Sequence, residues 1–444
     1  MRKVLIIAYY FPPLGWSGVQ RTLKFVKYLR DFGWEPIVVT VGKTKFSILD
    51  ETLLDEIPKE IEVIRIDDVV LKDLTELMKK EIYKFNEASL ELISDNKLIK
   101  LYEAEIEKKF SELRDLVLVP DGNSIWANNV VREIENRIDF NHIDIIYTTS
   151  GPYSAHVVGN YIKKLYGIRW ISDFRDQWIN NPYINYDKNS LRYKIEKDME
   201  KSIVLNCDRL ITTTSISRKN YINMYELSEE KVVTITNGYD ENDFKKLNIT
   251  QENKSNKFKI VYNGSFYLKI NPYTFAIAVK QLLDEKKIDK NKIEIILNGE
   301  SDSKIVDKFI AIMSEYSQLI INNGYMNHEA SLIKSMNANL LLVISGEGEG
   351  SKEVYTGKIF EYLRLKKPIL ALSPKESLIE ELLSETECGI NVEYNNVKQI
   401  KQIILHYYDK WLLNDEEDVK ANNIEKYERR VLTRNLVDVF NDTE

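Results

Sequence analysis

The sequence predicts an α/β protein built as two parallel-sheet domains, and three observations carry the prediction. Short, near-continuous apolar runs alternate with amphipathic stretches along nearly the whole chain, the pattern of strands buried on both faces and joined by helical crossovers. The alternation restarts after a polar stretch, Asp240 to Lys257, whose Asn, Lys and Glu content is that of a linker. At 444 residues the chain also exceeds the size at which one hydrophobic core keeps growing, so two domains with a ligand cleft at their junction are the default.

Taken in order, the expected strands of the first half are Val4–Tyr9, Pro36–Val41, Val63–Ile66, Ile143–Thr148, Trp170–Asp173, Leu210–Thr213 and Val232–Ile235. The first runs into Phe11-Pro12-Pro13-Leu14-Gly15 and then a helix with Val19, Leu23, Val26 and Leu29 on one face. Residues 69–142 interrupt this half as a helical insertion. Its middle, Leu71 to Phe110, mixes Lys and Glu with Leu and Ile, as either a solvated hairpin over a sheet edge or a lid facing an acceptor or membrane would. The second half offers Lys259–Tyr262, Ile293–Leu297, Leu319–Ile321, Leu340–Ile344, Ile369–Leu372 and Ile390–Val392 as a second parallel sheet. The expected domains are residues 1–240, carrying the insertion, and 257–410, followed by a helical tail over 411–444.

Composition narrows the function classes. With 43% hydrophobic and 30% charged residues the chain can bury a large core. Lys plus Arg number 62 against 69 Asp plus Glu, a net charge of -7, which argues against nucleic acid held by a general basic field. Two cysteines, Cys207 and Cys388, and four histidines show no metal-ligand spacing, so neither structural zinc nor a disulfide scaffold is expected. The apolar run Val4 to Phe11 is far shorter than the roughly 20 residues of a bilayer span. No cleavage site follows it, so it reads as a buried first strand of a cytoplasmic protein.

Two turns read as candidate ligand loops. Gly15 and Gly18 sit between the first strand and its helix, where backbone can approach a ligand and unpaired N–H groups face an anion; a merely structural turn remains the alternative. The spacing is not G-x-G-x-x-G and no acidic residue closes strand two, so a nicotinamide-dinucleotide site is excluded. Ser345 to Ser351 follows an apolar strand at the sheet edge where open α/β folds bind ligands. Lys358 then stands in the first turn of a helix expected near Thr356, where it opposes the helix dipole unless an anion sits there. Glu353 and Glu361, eight apart, are expected near one end of that helix, and carboxylates suit sugar hydroxyls rather than phosphate.

An ordered set of motifs resembles a known group. The Phe-Pro-Pro turn with Gly15, Gly18 and Arg21 is followed by Pro120-Asp121 with Trp126, and by Ser150-Gly151-Pro152 with Ser154 and His156. Asp173-Phe174-Arg175-Asp176-Gln177-Trp178 and Asn237-Gly238-Tyr239-Asp240 come next. Asn263-Gly264-Ser265, Gly357 to Leu363, and Lys367-Pro368-Ile369-Leu370 complete the set. Together they resemble the glycosyltransferases of the GT-B fold, specifically family 4-like enzymes of bacterial surface polysaccharide assembly, over most of the chain outside the insertion and tail.

The resemblance implies two Rossmann-like domains facing a central cleft. It implies a nucleotide-diphosphate sugar as donor, a glycan or lipid-linked acceptor, no cofactor, and retention at the anomeric carbon. It puts Glu361 on the nucleotide ribose, Glu353 on the transferred sugar, Gly264 close to the pyrophosphate, and Met326, after Gly324 and Tyr325, near the base. The family's Arg after the glycine is replaced by Ser265, and Lys269 fills the Lys role in shifted spacing. In the first domain His156 reads as a contact to acceptor or transferred sugar, or as a packing histidine. Asp173, Arg175 and Asp176 read as cleft-edge residues, with Arg175 on the donor side and Asp176 orienting the acceptor hydroxyl, or else as an internal ion-pair network. No D-x-D triplet occurs, so a metal-independent reaction is expected, with lysine and helix ends taking the diphosphate charge. Peripheral contact with the inner face of a membrane is left open. The alternatives are a nucleotide-sugar epimerase or phosphorylase of similar fold, and a non-catalytic scaffold in a polysaccharide assembly complex.

Overall fold

The computed structural model describes the chain except residues 16, 45–47, 69–95, 185, 248–255, 268, 416–418 and 443–444. The first domain runs β1 (Arg2–Ile7), α1 (Ser17–Leu29), β2 (Trp34–Val41), β3 (Glu62–Ile66), α2 (Asn96–Val117), α3 (Ser124–Ile134), β4 (Ile145–Thr149), α4 (Ser154–Tyr166), β5 (Arg169–Phe174), α5 (Leu191–Asn206), β6 (Arg209–Thr212), α6 (Ser215–Tyr225) and β7 (Val232–Thr234). Its seven strands lie in the order β3-β2-β1-β4-β5-β6-β7, all parallel. After α7 (Glu241–Lys246) the second domain runs β8 (Phe258–Asn263), α8 (Tyr273–Asp284), β9 (Ile293–Asn298), α9 (Ser303–Met313), β10 (Ile320–Asn322), α10 (His328–Met336), β11 (Leu340–Ile344), α11 (Lys358–Leu365), β12 (Ile369–Leu372), α12 (Leu378–Thr386), β13 (Gly389–Val392) and α13 (Val397–Leu412). Its six parallel strands lie in the order β10-β9-β8-β11-β12-β13. The chain closes with α14 (Arg429–Asn441).

Every strand expected from the sequence is present within two residues, because apolar runs such as Val4–Ile7 and Leu340–Ile344 are covered by helices on both faces. In each sheet the order reverses beside the first strand, between β1 and β4 and between β8 and β11. These are the switch points where crossovers leave in opposite directions and open a crevice at the carboxyl ends of the strands.

Three boundaries differ from the sequence reading. The insertion is expected over 69–142, but α3 buries Trp126, Ala127, Val130 and Ile134 in the first core and is an ordinary crossover helix. Residues 69–95 of the insertion lie outside the described residues. The polar stretch read as a linker from Asp240 begins with α7, which buries Phe244 and, just beyond, Leu247 in the second domain's core. The tail is not a separate appendage: α14 buries Leu432, Leu436 and Phe440 in the first core. Arg169 of β5 donates to the Phe440 and Val439 carbonyls, at 3.0 and 3.2 Å.

The chain therefore crosses between domains twice, and the two crossings pair. Tyr239 N donates to Tyr427 O at 3.0 Å, and Arg429 N donates to Tyr239 O at 2.8 Å. Gly238 is required beside this pairing, because a Cβ there would stand 1.9 Å from Tyr427 O. Beside the crossing, Lys24 of α1 binds Glu56, Asp240 and Asp243, while Lys27 binds Glu56 and Asp240.

Candidate active site

The strand ends of both domains converge on one cleft. In the second domain the turns after β8, β9 and β10 stack through glycines in the positive-φ region: Gly264 (φ 130), Gly299 (φ 147) and Gly324 (φ 65). Gly299 N donates to Gly324 O at 2.7 Å, and a Cβ on Gly299 would meet Gly264 O at 2.4 Å. Only glycine permits this approach of backbone to backbone.

Lys358 lies against Gly264. Its Nζ stands 3.9 Å from the centre of the Tyr262 ring and 2.4 Å from where a Cβ of Gly264 would be. It is half-buried, and no hydrogen bond or ion pair to its ammonium is found among the described residues. Burial pushes its pKa down to about 7, with Glu361 alone opposing. The lysine occupies the first residue of α11, after Gly357, as the sequence predicts, so a cation faces the positive end of a helix.

Glu361, one turn further along α11, accepts a hydrogen bond from His328 Nε2 at 2.8 Å. Burial pushes the Glu361 carboxyl up, but His328 outweighs it and holds the group below its ordinary value. Burial alone would lower His328, yet Glu361 and then Asp243 raise it to about 9. Arg429, at the start of α14, is buried with Nη1 lacking a hydrogen-bond partner among the described residues. Burial lowers its pKa to about 10.

Glu353 does not share α11 with Glu361, contrary to expectation. It ends a 3-10 turn, Glu349–Glu353, and extended Val354 separates that turn from the helix. Its Oε2 instead accepts from two residues of the first domain, Gln177 Nε2 at 3.1 Å and Asn220 Nδ2 at 3.0 Å. Lys269 is exposed beside the glycine-rich loop, with Nζ 3.9 Å from a Cβ built on Gly348. Met326 is half-buried at the rim, next to exposed Tyr325.

In the first domain Arg175 is the organiser. Its Nη1 donates to Gly18 O at 2.9 Å and stands 2.3 Å from where a Gly18 Cβ would be, and its Nη2 stands 2.9 Å from a Cβ on Gly151. Its Nε lies 3.4 Å from half-exposed Asp176. Gly15 faces the other domain: a Cβ there would meet the Tyr325 hydroxyl at 2.2 Å, and nearby Asp50 accepts from His328 N at 3.1 Å. Asp173 does not reach the cleft. It is fully buried and binds Arg21 through two hydrogen bonds of 2.7 and 2.9 Å, which fixes α1 on β5.

His156 is a correction to its reading as a sugar or acceptor contact. The side chain is fully buried, Nδ1 is hydrogen-bonded to Thr148 at 2.7 Å and Ser172 at 3.0 Å, and the ring stacks on Phe174. Burial pushes its pKa down to about 3, so it stays neutral beneath the sheet edge. The structure thus brings together Gly264, Lys358 and Glu361 on one side and Gly18, Arg175 and Asp176 on the other, with Glu353 bridging the domains and Gly15 against the second domain. His328, Gln177 and Asn220 join them without having been singled out as site residues from the sequence.

The fold is the GT-B type found in glycosyltransferases. Residues 96–243 match the family described as Glycosyltransferase Family 4. No curated protein matches the chain. Among solved structures, a glycosyltransferase from Rickettsia africae is 15% identical with a TM-score of 0.64, covering 99% of this chain and 98% of that one. Anabaena HepE in complex with UDP and glucose is 14% identical with a TM-score of 0.61, covering 99% of this chain and 100% of that one. TarM of S. aureus, in complex with fondaparinux, alpha-GlcNAc-glycerol and UDP, is 12% identical with a TM-score of 0.61 over 100% of both chains.

Proposed function

We propose that the protein transfers a sugar, with retention and without a metal, from a nucleoside-diphosphate sugar to a glycan or lipid-linked acceptor in the cytoplasmic assembly of a surface polysaccharide. The observation that carries this reading is Lys358: a half-buried ammonium beside Gly264, without an anionic hydrogen-bond partner among the described residues. A diphosphate supplies the missing charge, and charge grows on it as the glycosidic bond breaks. The UDP complexes of HepE and TarM support a nucleoside diphosphate as the leaving group.

In this reading Glu361, held by His328, accepts from the ribose hydroxyls, and Glu353 accepts from the transferred sugar. The acceptor hydroxyl oxygen bonds to the anomeric carbon on the face the diphosphate leaves, and its proton passes to the departing phosphate oxygen. Asp176 orients the acceptor, and Arg175, Lys269 and the Ser345–Ser351 loop act on the donor. A lipid-linked acceptor would bring the protein to a membrane face. α2, with Leu98, Leu101, Leu113 and Leu116 exposed, is the surface proposed to meet it. No helix among the described residues is long and apolar enough to cross a membrane.

The test is a panel of nucleotide sugars scored by thermal stabilisation, then by release of nucleoside diphosphate with and without acceptor glycans, in excess chelator. Acceptor-dependent release that persists in chelator is expected. Release that needs manganese or magnesium overturns metal independence, and conversion of the donor without acceptor favours the epimerase. Absence of any nucleotide binding favours the scaffold.

A further inference from the structure

Glu353 is the one carboxylate of the proposed donor site whose partners come from the opposite domain. Its Oε2 accepts from Gln177 in the turn after β5 and from Asn220 of α6, while no partner for Oε1 is found among the described residues. A carboxylate only accepts, so both amides must turn their NH2 groups toward it. The second N–H of Asn220 reaches Gln177 Oε1 at 3.0 Å, which ties the two amides into one unit.

That unit is built on a rigid floor. Gln177 is 6% exposed and its carbonyl accepts from the Tyr153 hydroxyl at 2.6 Å. The next residue, Trp178, is fully buried, stacks on Tyr153 with ring centres 4.7 Å apart, and donates Nε1 to Glu196 at 2.9 Å. Tyr221, beside Asn220, accepts from Trp178 N at 3.3 Å and donates to Glu200 at 2.7 Å. Glu353, by contrast, ends a loop with glycines at 346, 348 and 350, two of them in the positive-φ region. The first domain's half is fixed, and the half carrying Glu353 follows a loop that turns through two positive-φ glycines.

We propose that Gln177 and Asn220 form a two-amide latch that holds the cleft closed by binding Glu353 Oε2 and presents Oε1 to the transferred sugar. The proposal rests on the reading of Glu353 as the sugar-facing carboxylate. Neutral amides suit such a latch because they orient the carboxylate without neutralising it, so its charge remains available to a sugar hydroxyl, and the contact can open for product release. Gln177 and Asn220 are therefore positioning residues. They act on turnover of the sugar donor and leave the binding of UDP, which lacks the transferred sugar, unchanged.

The experiment follows energy transfer between dyes on Lys188→Cys and Lys375→Cys, exposed positions in opposite domains, with native Cys207 and Cys388 buried. Gln177→Glu sets a second carboxylate against Glu353 and is expected to shift the closed-to-open ratio at least tenfold toward open. The near-isosteric Asn220→Leu is expected to shift it in the same direction, with kcat falling about tenfold and the Kd for UDP unchanged. Combining Gln177→Glu with Glu353→Gln exchanges acceptor and donor and restores closure without restoring turnover, which general damage to the fold would not do. Wild-type closure in folded Gln177→Glu and Asn220→Leu proteins overturns the latch, as does failure of the exchange to restore it. The site reading is tested separately: folded Glu353→Ala with wild-type turnover overturns the role of Glu353 itself, whatever the cleft does.

Discussion

Replacing Lys358 with methionine removes the charge while keeping an unbranched side chain on Tyr262. The stability terms nearly cancel. Loss of the cation–π contact at 3.9 Å costs about 0.5–2 kcal/mol, and removing a cation from the first turn of α11 regains about 0.3–1 kcal/mol. Relief of a desolvated ammonium adds to the gain, so Tm should hold or rise slightly. Linkage supplies an independent check. The lysine's pKa falls from 10.5 to about 7 in the folded protein, so between those values the unfolded chain binds a proton the folded chain lacks. Stability from this group therefore rises with pH across that window, and Lys358→Met should lose that slope. Turnover should move the other way. A preorganised charge on the leaving diphosphate contributes about 3 kcal/mol, a hundredfold or more in kcat, measured as nucleoside diphosphate release from the donor identified by the panel. A folded variant with wild-type kcat and UDP affinity would remove Lys358 from the site, and a raised KM with kcat spared would make its role one of uniform binding.

Three further outcomes are expected. UDP affinity, measured by calorimetry, should weaken as pH rises through about 7, because Lys358 loses its proton there, and binding at pH 8 should take up a proton, seen as a heat that depends on the buffer. Affinity independent of pH from 6 to 8 would contradict this. Arg21→Met leaves the Asp173 carboxylate buried without its cation and should destabilise by about 3–5 kcal/mol in denaturant unfolding; a loss below 1 kcal/mol would show that Asp173 finds another partner. Gly18→Ala puts a methyl 2.3 Å from Arg175 Nη1, so it should displace that side chain and lower turnover with little change in Tm, whereas unchanged kinetics would separate Arg175 from the donor side.

The sheets were legible because burial on both faces writes a strand as an unbroken apolar run, as in Val4–Ile7 and Leu340–Ile344. The local part of the site was legible for a similar reason. Gly264 and Lys358 are each anomalous in their own neighbourhood, one a turn glycine and the other a cation at a helix start. What depends on long-range pairing was not. Asp173 reads as a cleft residue until Arg21, 152 positions earlier, is seen to bind it, and His328 has no local feature that links it to Glu361. His156 does carry a usable local signal, since it shares a buried helical face with Gly159 at i+3. The tail's return is written in Leu432, Leu436 and Phe440 at helical spacing, an apolar stripe that needs a core to cover it.

The partners of the lysines separate the crossing between the domains from the cleft. At the crossing Lys24 faces Glu56, Asp240 and Asp243, and Lys27 faces two of the same three, so each ammonium is met by carboxylates. In the cleft Lys358 has no carboxylate within ion-pair distance among the described residues, and the one acid acting on it, Glu361, is already bound by His328. Moving Glu361 onto Lys358 would leave His328 with only Asp243, 3.9 Å away, so no shift of Glu361 relieves the lysine without weakening that pair. An anion from outside does relieve it. That anion must enter beside Gly264, where no side chain intervenes, and must leave Glu353 and Glu361 to groups that donate hydrogen bonds. A diphosphate between two sugars, the ribose toward Glu361 and the transferred sugar toward Glu353, meets each of these demands at once.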